Sequence, residues 1–490
     1  MQQPFRFMSF REWVPDGARF WIYILFLMCF QFSGGIYFAA MESVAGTLSL
    51  TPDDVRMLGN TVLVGLTLYF PLAFRLKFRF TNRTCLMVAA VVLTAVNLVV
   101  PHVRSMPVLT VLCFVAGFFR LWGTFECFSS ILPRVAPTHN YAVFLSLVFF
   151  VVLGFVHVFD IAASYIMYYY SWPYIHYAAA GLLLVVLLGA CVLMRPFRPM
   201  PRMPLYGVDW LGMALWATFV LAAIFVAQYG QQLEWFHSPR IRAAAGISCL
   251  ALAANMLRMR HIRHPFIDPE AFRARNIVNL LLLFLFLDVL LASQHVLQNV
   301  FTGAVLHLDQ LNAVNLYRFD VVGMLLGALF SWFALAKLKW HHKLVCFVGM
   351  ALVTLYAAMM YTLLTPGMET WRLYLPLICC GIGHVMVFIS LTTYAQATVP
   401  LRNYFQVLCI LGFVRTGIGG PLGEAIYTRA LEAQTSLHPS MTVALRELFG
   451  WSIVLGVLVL ILIAASRFKD RVGMPIPTFM RMYRVTDMHK

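Results

Sequence analysis

Ionisable side chains interrupt several strongly apolar runs of this chain, and the clearest example begins at Asp288 with the stretch DVLLASQHVLQNVF. Helical spacing puts Asp288, His295 and Asn299 on one face, with Gln298 beside them. A carboxylate and an imidazole two turns apart could share a proton path, directly or through water. The stretch therefore predicts a proton-binding site at Asp288, or else a structural polar pair that ties this segment to a neighbouring helix.

A second polar patch surrounds Asp160 in the apolar, aromatic stretch VFDIAASYIMYYYSWPYIHY. His157 precedes Asp160 by three residues and Ser164 follows it by four, so all three share a helical face. We interpret Asp160 as a functional carboxylate that ranks second to Asp288. A buried ion pair with Arg120 or another base is the alternative.

Further charged residues fall inside apolar runs, where a charge near the bilayer centre costs about 3 kcal/mol and marks an ion or substrate pathway. Glu126 lies six residues after Arg120, too far around a helix to pair with it, and we interpret it as facing a cavity. Asp320 shares a face with Gly323 and Gly327, which favours close helix packing beside a polar group.

Arg415 and Glu424 lie on opposite faces of one predicted helix. Glu424 is near the outer end, where a hydrated carboxylate is the alternative to a proton site. The candidate proton-coupling residues are Asp288, Asp160, Glu126 and Glu424. The candidate residues for the substrate cavity or for coupling are Arg120, Arg415, His295, His157, Gln298 and Asp320.

The composition indicates which elements position these residues. The chain has 490 residues, of which 61% are hydrophobic and 11% charged, and its mean hydropathy is +0.80. Soluble domains average about 25% charged residues, and no polar stretch here is long enough to form a separate domain. Because helices satisfy their own backbone groups in lipid, we expect an all-α integral membrane protein.

Sequence patterns for enzymatic chemistry are absent. The chain has neither a glycine-rich phosphate loop with a lysine nor an HExxH motif, and its ten cysteines show no zinc-type spacing. We therefore expect no enzymatic activity, no bound metal and no cofactor.

Fourteen apolar segments are long enough to cross a bilayer as helices. They cover approximately residues 20–42, 57–74, 84–102, 107–131, 142–168, 173–194, 208–229, 241–257, 276–301, 312–336, 344–363, 373–397, 404–428 and 448–466. An even number places both termini on one side. Most of the 36 lysines and arginines lie on that side, which predicts cytoplasmic termini. The same bias accounts for the net charge of +16, so we expect no nucleic-acid partner.

Three stretches resemble the fourteen-span drug:proton antiporters of the major facilitator superfamily, the EmrB/QacA-like branch. YSWPYIHYAAAGLLL, from residue 170, is similar to the family stretch that joins spans five and six, with Pro173 in place of the usual arginine. DWLGMALWA and the later QYGQQLEWFHSPRI resemble the seventh span, which opens with Asp-x-x-Gly. GFVRTGIGGPLGEAIYTRALEAQ, from residue 412, resembles the thirteenth span.

Motifs of that branch are altered at several positions. The loop between spans two and three reads PLAFRLKFRFTNR: its basic residues remain, but Phe74 takes the usual glycine position and no aspartate is present. Phe159 and Asp160 stand where relatives carry Gly-Pro, and Ser33 stands where such pumps often have an aspartate. FFRLWG resembles the family pattern in span four, which implies a role for Arg120 in coupling or in pairing with a carboxylate.

The resemblance implies the major facilitator fold with fourteen transmembrane helices. A cytoplasmic arm (1–19) is followed by an N-terminal six-helix bundle (20–194), an inserted helix pair (195–260), a C-terminal six-helix bundle (261–466) and a cytoplasmic tail (467–490). The implied function is secondary active transport by alternating access, namely proton-coupled efflux of amphipathic organic compounds across the inner, cytoplasmic membrane.

The expected partners are an amphipathic organic substrate, protons and membrane lipid, with a periplasmic adaptor and an outer-membrane channel as further candidates. Because two motifs associated with exchange are altered, uptake of a dedicated solute stays open as an alternative. A non-transporting membrane scaffold or sensor is a third reading, which the retained charges inside the apolar runs disfavour.

Overall fold

The computed structural model describes residues 8–33, 45–46, 48–137, 141–198, 201–272, 277–399, 401–437, 440–466 and 468. Long helices joined by short connections dominate this part of the chain. They are α1 Asp16–Phe32, α2 Pro52–Arg79, α3 Asn82–His102, α4 Met106–Val135, α5 Ala142–Tyr169, α6 Trp172–Leu193, α7 Trp210–Tyr229, α8 Pro239–His261, α9 Ile277–Val305, α10 Gln310–Lys337, α11 His342–Leu363, α12 Thr370–Thr398, α13 Asn403–Leu437 and α14 Met441–Ala465.

Thirteen of these helices, α2 to α14, are long and apolar enough to cross a membrane. Each predicted span overlaps one helix. The first predicted span falls partly on 34–44, outside the described residues, and α1 covers its beginning. The count of fourteen is therefore consistent with the described part of the chain. The predicted tail (467–490), apart from residue 468, also lies outside the described residues.

Local signals in the sequence explain where the helices begin. Thr51 caps α2 through a reciprocal pair of hydrogen bonds with Asp54, at 2.8 and 3.2 Å, and Pro52 occupies the first helical turn. Pro173 likewise lies in the first turn of α6, where its missing N–H costs nothing. The proline that replaces an arginine in the resembling stretch therefore serves as a helix start.

One boundary differs from the prediction. The stretch from residue 71, expected as a basic loop between spans two and three, continues α2 as far as Arg79 after a tight turn at Phe70–Leu72. Lys77 is consequently buried, although it was expected in a solvated loop. Its ammonium reaches a carboxylate inside the bundle, and that contact compensates for the burial of the charge.

The helix pairings of the first six helices recur in the last six. In the first half α2 packs on α4, and α3 packs on both α4 and α6. In the second half α10 packs on α12, and α11 packs on both α12 and α14. The halves meet along two seams, α5 with α10 and α2 with α13. The helices α7 and α8 pack on each other, and α7 lies against α2 and α13.

Glycines allow the closest of these helix contacts. A Cβ at Gly65 of α2 would overlap the carbonyl of Phe114 on α4, and a Cβ at Gly323 of α10 would overlap the carbonyl of Ile378 on α12. These are equivalent helix pairs in the two halves. The close packing expected on the face of Asp320 is therefore present, since the backbone of α12 lies directly against it.

Several helices contain a π-helical turn, a wide turn that is frequent at functional sites. Such turns occupy Phe150–Gly154 in α5, Gln294–Gln298 and Phe301–Val305 in α9, Phe333–Lys337 in α10 and Phe413–Gly419 in α13. Two of them carry residues of the polar layer described next.

Candidate substrate and proton site

The centre of the second half holds an ion pair between α9 and α13. Arg415 donates from Nε to Asp288 Oδ1 at 3.1 Å. The side chain of Arg415 is 30% exposed and that of Asp288 only 8%. The second oxygen of Asp288, Oδ2, is buried without a hydrogen-bond partner. The carboxylate therefore has one oxygen committed to the pair and one available for a proton or a ligand.

Aromatic rings surround the guanidinium of this pair. Arg415 lies over the ring of Phe388 on α12, with 4.2 Å from Cζ to the ring centroid. Phe388 in turn contacts Phe149 of α5 at 5.4 Å and Phe284 of α9 at 5.1 Å, measured between ring centroids. The ion pair thus stands at an apolar wall built from three helices of both halves.

The seam between α5 and α10 carries a second charged contact. His157 Nε2 lies 3.4 Å from Asp320 Oδ2, and the imidazole stacks on the ring of Tyr317 at 5.4 Å. Tyr317 donates to Asn299 Oδ1 of α9 at 3.2 Å. Oδ1 of Asp320 is buried and has no hydrogen-bond partner. Helical spacing had grouped His157 with Asp160, whereas its carboxylate contact is on another helix.

Arg120 and Asp160 lie on the first-half side of the same layer. Arg120 donates to Gln31 Oε1 of α1 at 2.6 Å, and Gln31 also contacts Thr124 at 3.5 Å. Asp160 is close enough to interact electrostatically with Arg120. Its Oδ1 is buried without a partner. Arg120 thus makes a direct hydrogen bond to the amide of Gln31 and a longer-range electrostatic interaction with the carboxylate of Asp160.

Three residues of this layer were missing from the sequence prediction. They are Gln31, the π-turn residue Gln294, which lies beside Asp320, and His384 of α12, which interacts electrostatically with His157, His295 and Arg415. The available signal was weak for His384, an isolated polar residue in an apolar run, whereas Gln294 lies directly before His295 in the polar stretch that the sequence had already singled out. Predicted His295 does join the layer, where it faces Arg415 and His157.

Glu126 lies in a separate buried network. Its carboxylate accepts from the ammonium of Lys77 at 3.0 Å and from the amide of Asn82, and Lys77 also donates to Ser129 at 2.6 Å. The network joins α2, α3 and α4, all within the first half. It lies near the face of the bundle where α1 begins and α14 ends, which we call the terminus face. The structure thus places Glu126 away from Asp288.

Two other predicted residues also lie apart from the layer's charges. Glu424 lies near the opposite face of the bundle, which we call the far face. There it interacts electrostatically with the Arg56–Asp53 ion pair of α2. Gln298 accepts from the hydroxyl of Tyr356 at 2.8 Å, a contact that ties α9 to α11. Within the described residues, no group of three or more potential ligands could hold a metal ion.

This fold has clear counterparts among known proteins. The family model described as Major Facilitator Superfamily matches residues 23–424. The chain therefore belongs to the Major Facilitator Superfamily, and it is a multi-pass membrane transporter rather than an enzyme. No curated protein matches its sequence significantly.

Three solved structures show how general the likeness is. A mutant of the nucleoside transporter NupG has a TM-score of 0.57 at 12% identity, over 90% of this chain and 99% of that one. An auto-inhibited POT-family peptide transporter scores 0.56 at 15% identity, over 93% and 99%. The inward-open xylose transporter XylE from E. coli scores 0.56 at 12% identity, over 94% and 98%. At such identities the likeness shows the fold alone.

Proposed function

We propose that the protein is a proton-coupled exporter of amphipathic organic compounds that works by alternating access, in the manner of the fourteen-span drug:proton antiporters. The observation that carries the proposal is the Asp288–Arg415 pair. It lies near the middle of its helices, it is partly exposed through Arg415, and it leaves Asp288 Oδ2 without a partner. Buried acceptors without a donor are costly, so such an oxygen needs a proton or a ligand.

The free oxygen suggests how a proton and a substrate exclude each other. Ionised Oδ2 of Asp288 is a strong, charged acceptor for a substrate donor, whereas protonated Oδ2 is a neutral donor, so a proton and a substrate donor compete for it. A proton also neutralises the carboxylate and weakens its hold on Arg415. Exchange follows if the proton affinity of this site differs between the two orientations of the halves. Asp160, beside Arg120, is the second candidate for the same role.

The surroundings of the pair favour an amphipathic substrate. Phe388, Phe149 and Phe284 offer an apolar wall, while Arg415 and Asp288 offer a donor and an acceptor beside it. A binding site of this composition would hold most of a ligand through apolar contact and orient it with few polar groups. We propose the cytoplasmic membrane as the location, with both termini inside, and an adaptor with an outer-membrane channel as partners.

Uptake of a dedicated solute is the second candidate. The loop motif without its aspartate and Asp160 in the place of a proline favour it, because both depart from the exporter pattern. The solved structures named above include transporters of a nucleoside, peptides and xylose, so the fold serves such solutes as well.

The deciding experiment measures proton release from the purified protein in detergent when a lipophilic aromatic cation is added, between pH 6 and 9. Wild type, Asp288→Asn, Asp160→Asn and the control Glu424→Gln are compared. Release that vanishes only in Asp288→Asn supports antiport at this site. Binding without release in the wild type contradicts proton antiport and favours uptake or a non-transporting role.

A further inference from the structure

The contact between His157 and Asp320 differs from the other charged contacts of the layer because it crosses from one half of the molecule to the other. His157 belongs to α5 in the first half and Asp320 to α10 in the second, and their side chains approach to 3.4 Å. Asp288 and Arg415 both lie in the second half, and Lys77 and Glu126 both lie in the first. Movement of one half against the other therefore changes the His157–Asp320 distance most directly.

A ring contact accompanies the pair across the same seam. Tyr317 of α10 stacks on His157 of α5, and Tyr317 is itself anchored to Asn299 of α9. The backbone oxygen of Asp320 lies so close to Gly381 of α12 that no Cβ fits there, so Asp320 sits on a tightly packed part of the second half. Because both the ring contact and the charged contact join α5 to α10, separation of the halves along this seam breaks them together.

The pair is also almost closed off from solvent, with side-chain exposures of 14% for His157 and 2% for Asp320. Two groups lie beside the Asp320 carboxylate: the amide of Gln294 and the imidazole of His157, which contacts Oδ2 and is the one of the two that can carry a proton. Other ionisable groups lie around the pair. Those that interact electrostatically with His157 or Asp320 are His295 on α9, Tyr317 on α10, Tyr356 on α11, and Cys380 and His384 on α12. Charged groups beyond them interact with these neighbours or with each other: Asp160 on α5 with Tyr317, Arg120 on α4 with Asp160, and Arg415 on α13 with His295 and His384.

We propose that His157 and Asp320 form a second proton site, which holds the α5–α10 seam together as long as the pair carries one proton between them. With that proton the pair is either imidazolium with carboxylate or imidazole with carboxylic acid, and both forms satisfy the contact. When the proton leaves, an ionised Asp320 faces a neutral imidazole in a buried place. The carboxylate then gains hydration only if the halves separate.

The seam contains a natural control towards the far face. There Tyr165 of α5 and Asn315 of α10 exchange hydrogen bonds at 3.2 and 3.0 Å. This contact crosses the same two helices but has no carboxylate and no imidazole. It therefore contributes to closure of the seam without a dependence on protons between pH 5.5 and 8.5.

A double-mutant cycle separates the two kinds of contact. The melting temperature of the full chain in detergent is measured from pH 5.5 to 8.5 for wild type, His157→Gln, Asp320→Asn and the double variant. The proposal expects a non-additive shift of the melting temperature at low pH that disappears at high pH. The control cycle, Tyr165→Phe with Asn315→Ala, should show coupling that does not change with pH. A pH-independent coupling between His157 and Asp320 overturns the proposal.

A distance measurement covers the case in which a variant folds poorly. Spin labels are placed at the exposed Tyr168 and Asn312 through noncanonical amino acids, because the chain has ten native cysteines. Rising pH should increase the fraction of molecules with separated labels in the wild type, and Asp320→Asn should abolish this dependence. An unchanged distance distribution in the wild type across the pH range contradicts the proposal.

This inference rests on the proposed movement of the two halves, but on neither Asp288 nor any substrate. Its failure can therefore be told apart from the failure of the proposed function. If the seam opens with rising pH but ligand addition releases no protons, the His157–Asp320 proposal is supported and proton antiport is contradicted. If ligand addition releases protons but the seam does not respond to pH, proton antiport is supported and the His157–Asp320 proposal is contradicted.

Discussion

Two ion pairs inside this bundle have nearly the same chemistry and opposite surroundings. Glu126 with Lys77 is buried on both sides, with side-chain exposures of 2% and 3%, and Asn82 and Ser129 complete its hydrogen bonds. Asp288 with Arg415 has exposures of 8% and 30%, and one carboxylate oxygen has no partner. The first pair is satisfied by its own helices, whereas the second is left open to something that enters.

The difference shows why a charge in an apolar run predicts importance but not a role. Both Glu126 and Asp288 interrupt apolar helices, and the sequence ranks both as proton-coupling candidates. A satisfied pair within one half gains little from a proton, because protonation would break contacts that nothing replaces. An open pair can exchange one partner for another at small cost. We therefore propose hydrogen-bond satisfaction as the property that distinguishes a structural pair from a functional one, which the following variants test.

The largest effect on stability should come from breaking the satisfied pair. Glu126→Gln leaves Lys77 as a buried ammonium without its counter-charge, which costs about 3–5 kcal/mol. The combined Lys77→Met and Glu126→Gln variant should recover most of that loss, since no charge then stays buried. Unfolding in detergent measures both. If Glu126→Gln is stable but loses proton coupling, Glu126 has a role in transport and the Lys77–Glu126 pair is not merely structural.

Breaking the open pair should affect transport more than stability. Asp288→Asn keeps the shape of the side chain but removes its proton site, so active transport into vesicles should fall to the level of empty vesicles. Because Arg415 is partly exposed, the free energy of unfolding should change by only about 1 kcal/mol. The measurement is uptake of a fluorescent lipophilic cation under an imposed pH gradient. Transport against a gradient by Asp288→Asn would remove the leading proton-site assignment.

A smaller effect should follow from changing the form of the open pair's cation. Arg415→Lys keeps the positive charge but loses the planar guanidinium over Phe388, a contact worth about 1 kcal/mol. Ligand binding should weaken by about fivefold while proton release persists. Fluorescence titration at fixed pH measures the ligand affinity of both proteins. Equal affinity in both proteins would show that the ring of Phe388 and the guanidinium do not act together on the ligand.

The smallest effect is expected at Glu424. This carboxylate lies near the far face beside the Arg56–Asp53 pair, and its side chain is only half-buried. Glu424→Gln should change the free energy of unfolding by about 0.5 kcal/mol or less and leave proton release intact. Loss of proton release in this variant, with Asp288 unchanged, would place the coupling path at the far face and overturn the contrast between the two central pairs.

Much of the fold could be predicted because a membrane-spanning helix is visible in the hydropathy of its own consecutive residues. Each of the fourteen predicted spans overlaps a helix, and the errors lie at the ends, as at α2, which runs on to Arg79. The sequence did not predict this extension, because a run of basic residues after an apolar segment is typical of a loop. Lys77 is buried inside the bundle because its partner Glu126 lies on another helix, α4.

Most of the charged residues of the polar layer could be predicted, but its neutral polar residues and its arrangement could not. Asp288, Arg415, His157, Asp320, Arg120 and Asp160 were all identified, since a charged residue in an apolar run has few neutral explanations. Their partners were not. Helical spacing relates Asp288 to His295, but the group that contacts it is Arg415, separated by 127 positions in the chain.

The sequence by itself determined that the chain is a helical membrane protein, where its spans lie and, apart from Lys77, most of the charges inside them. Hydropathy acts over about 20 consecutive residues, so it is written into the chain directly. The tertiary structure alone decided which charges are satisfied and which stay open. Packing joins residues that are distant in sequence, and the cost of a buried charge depends on the partner that this packing brings to it.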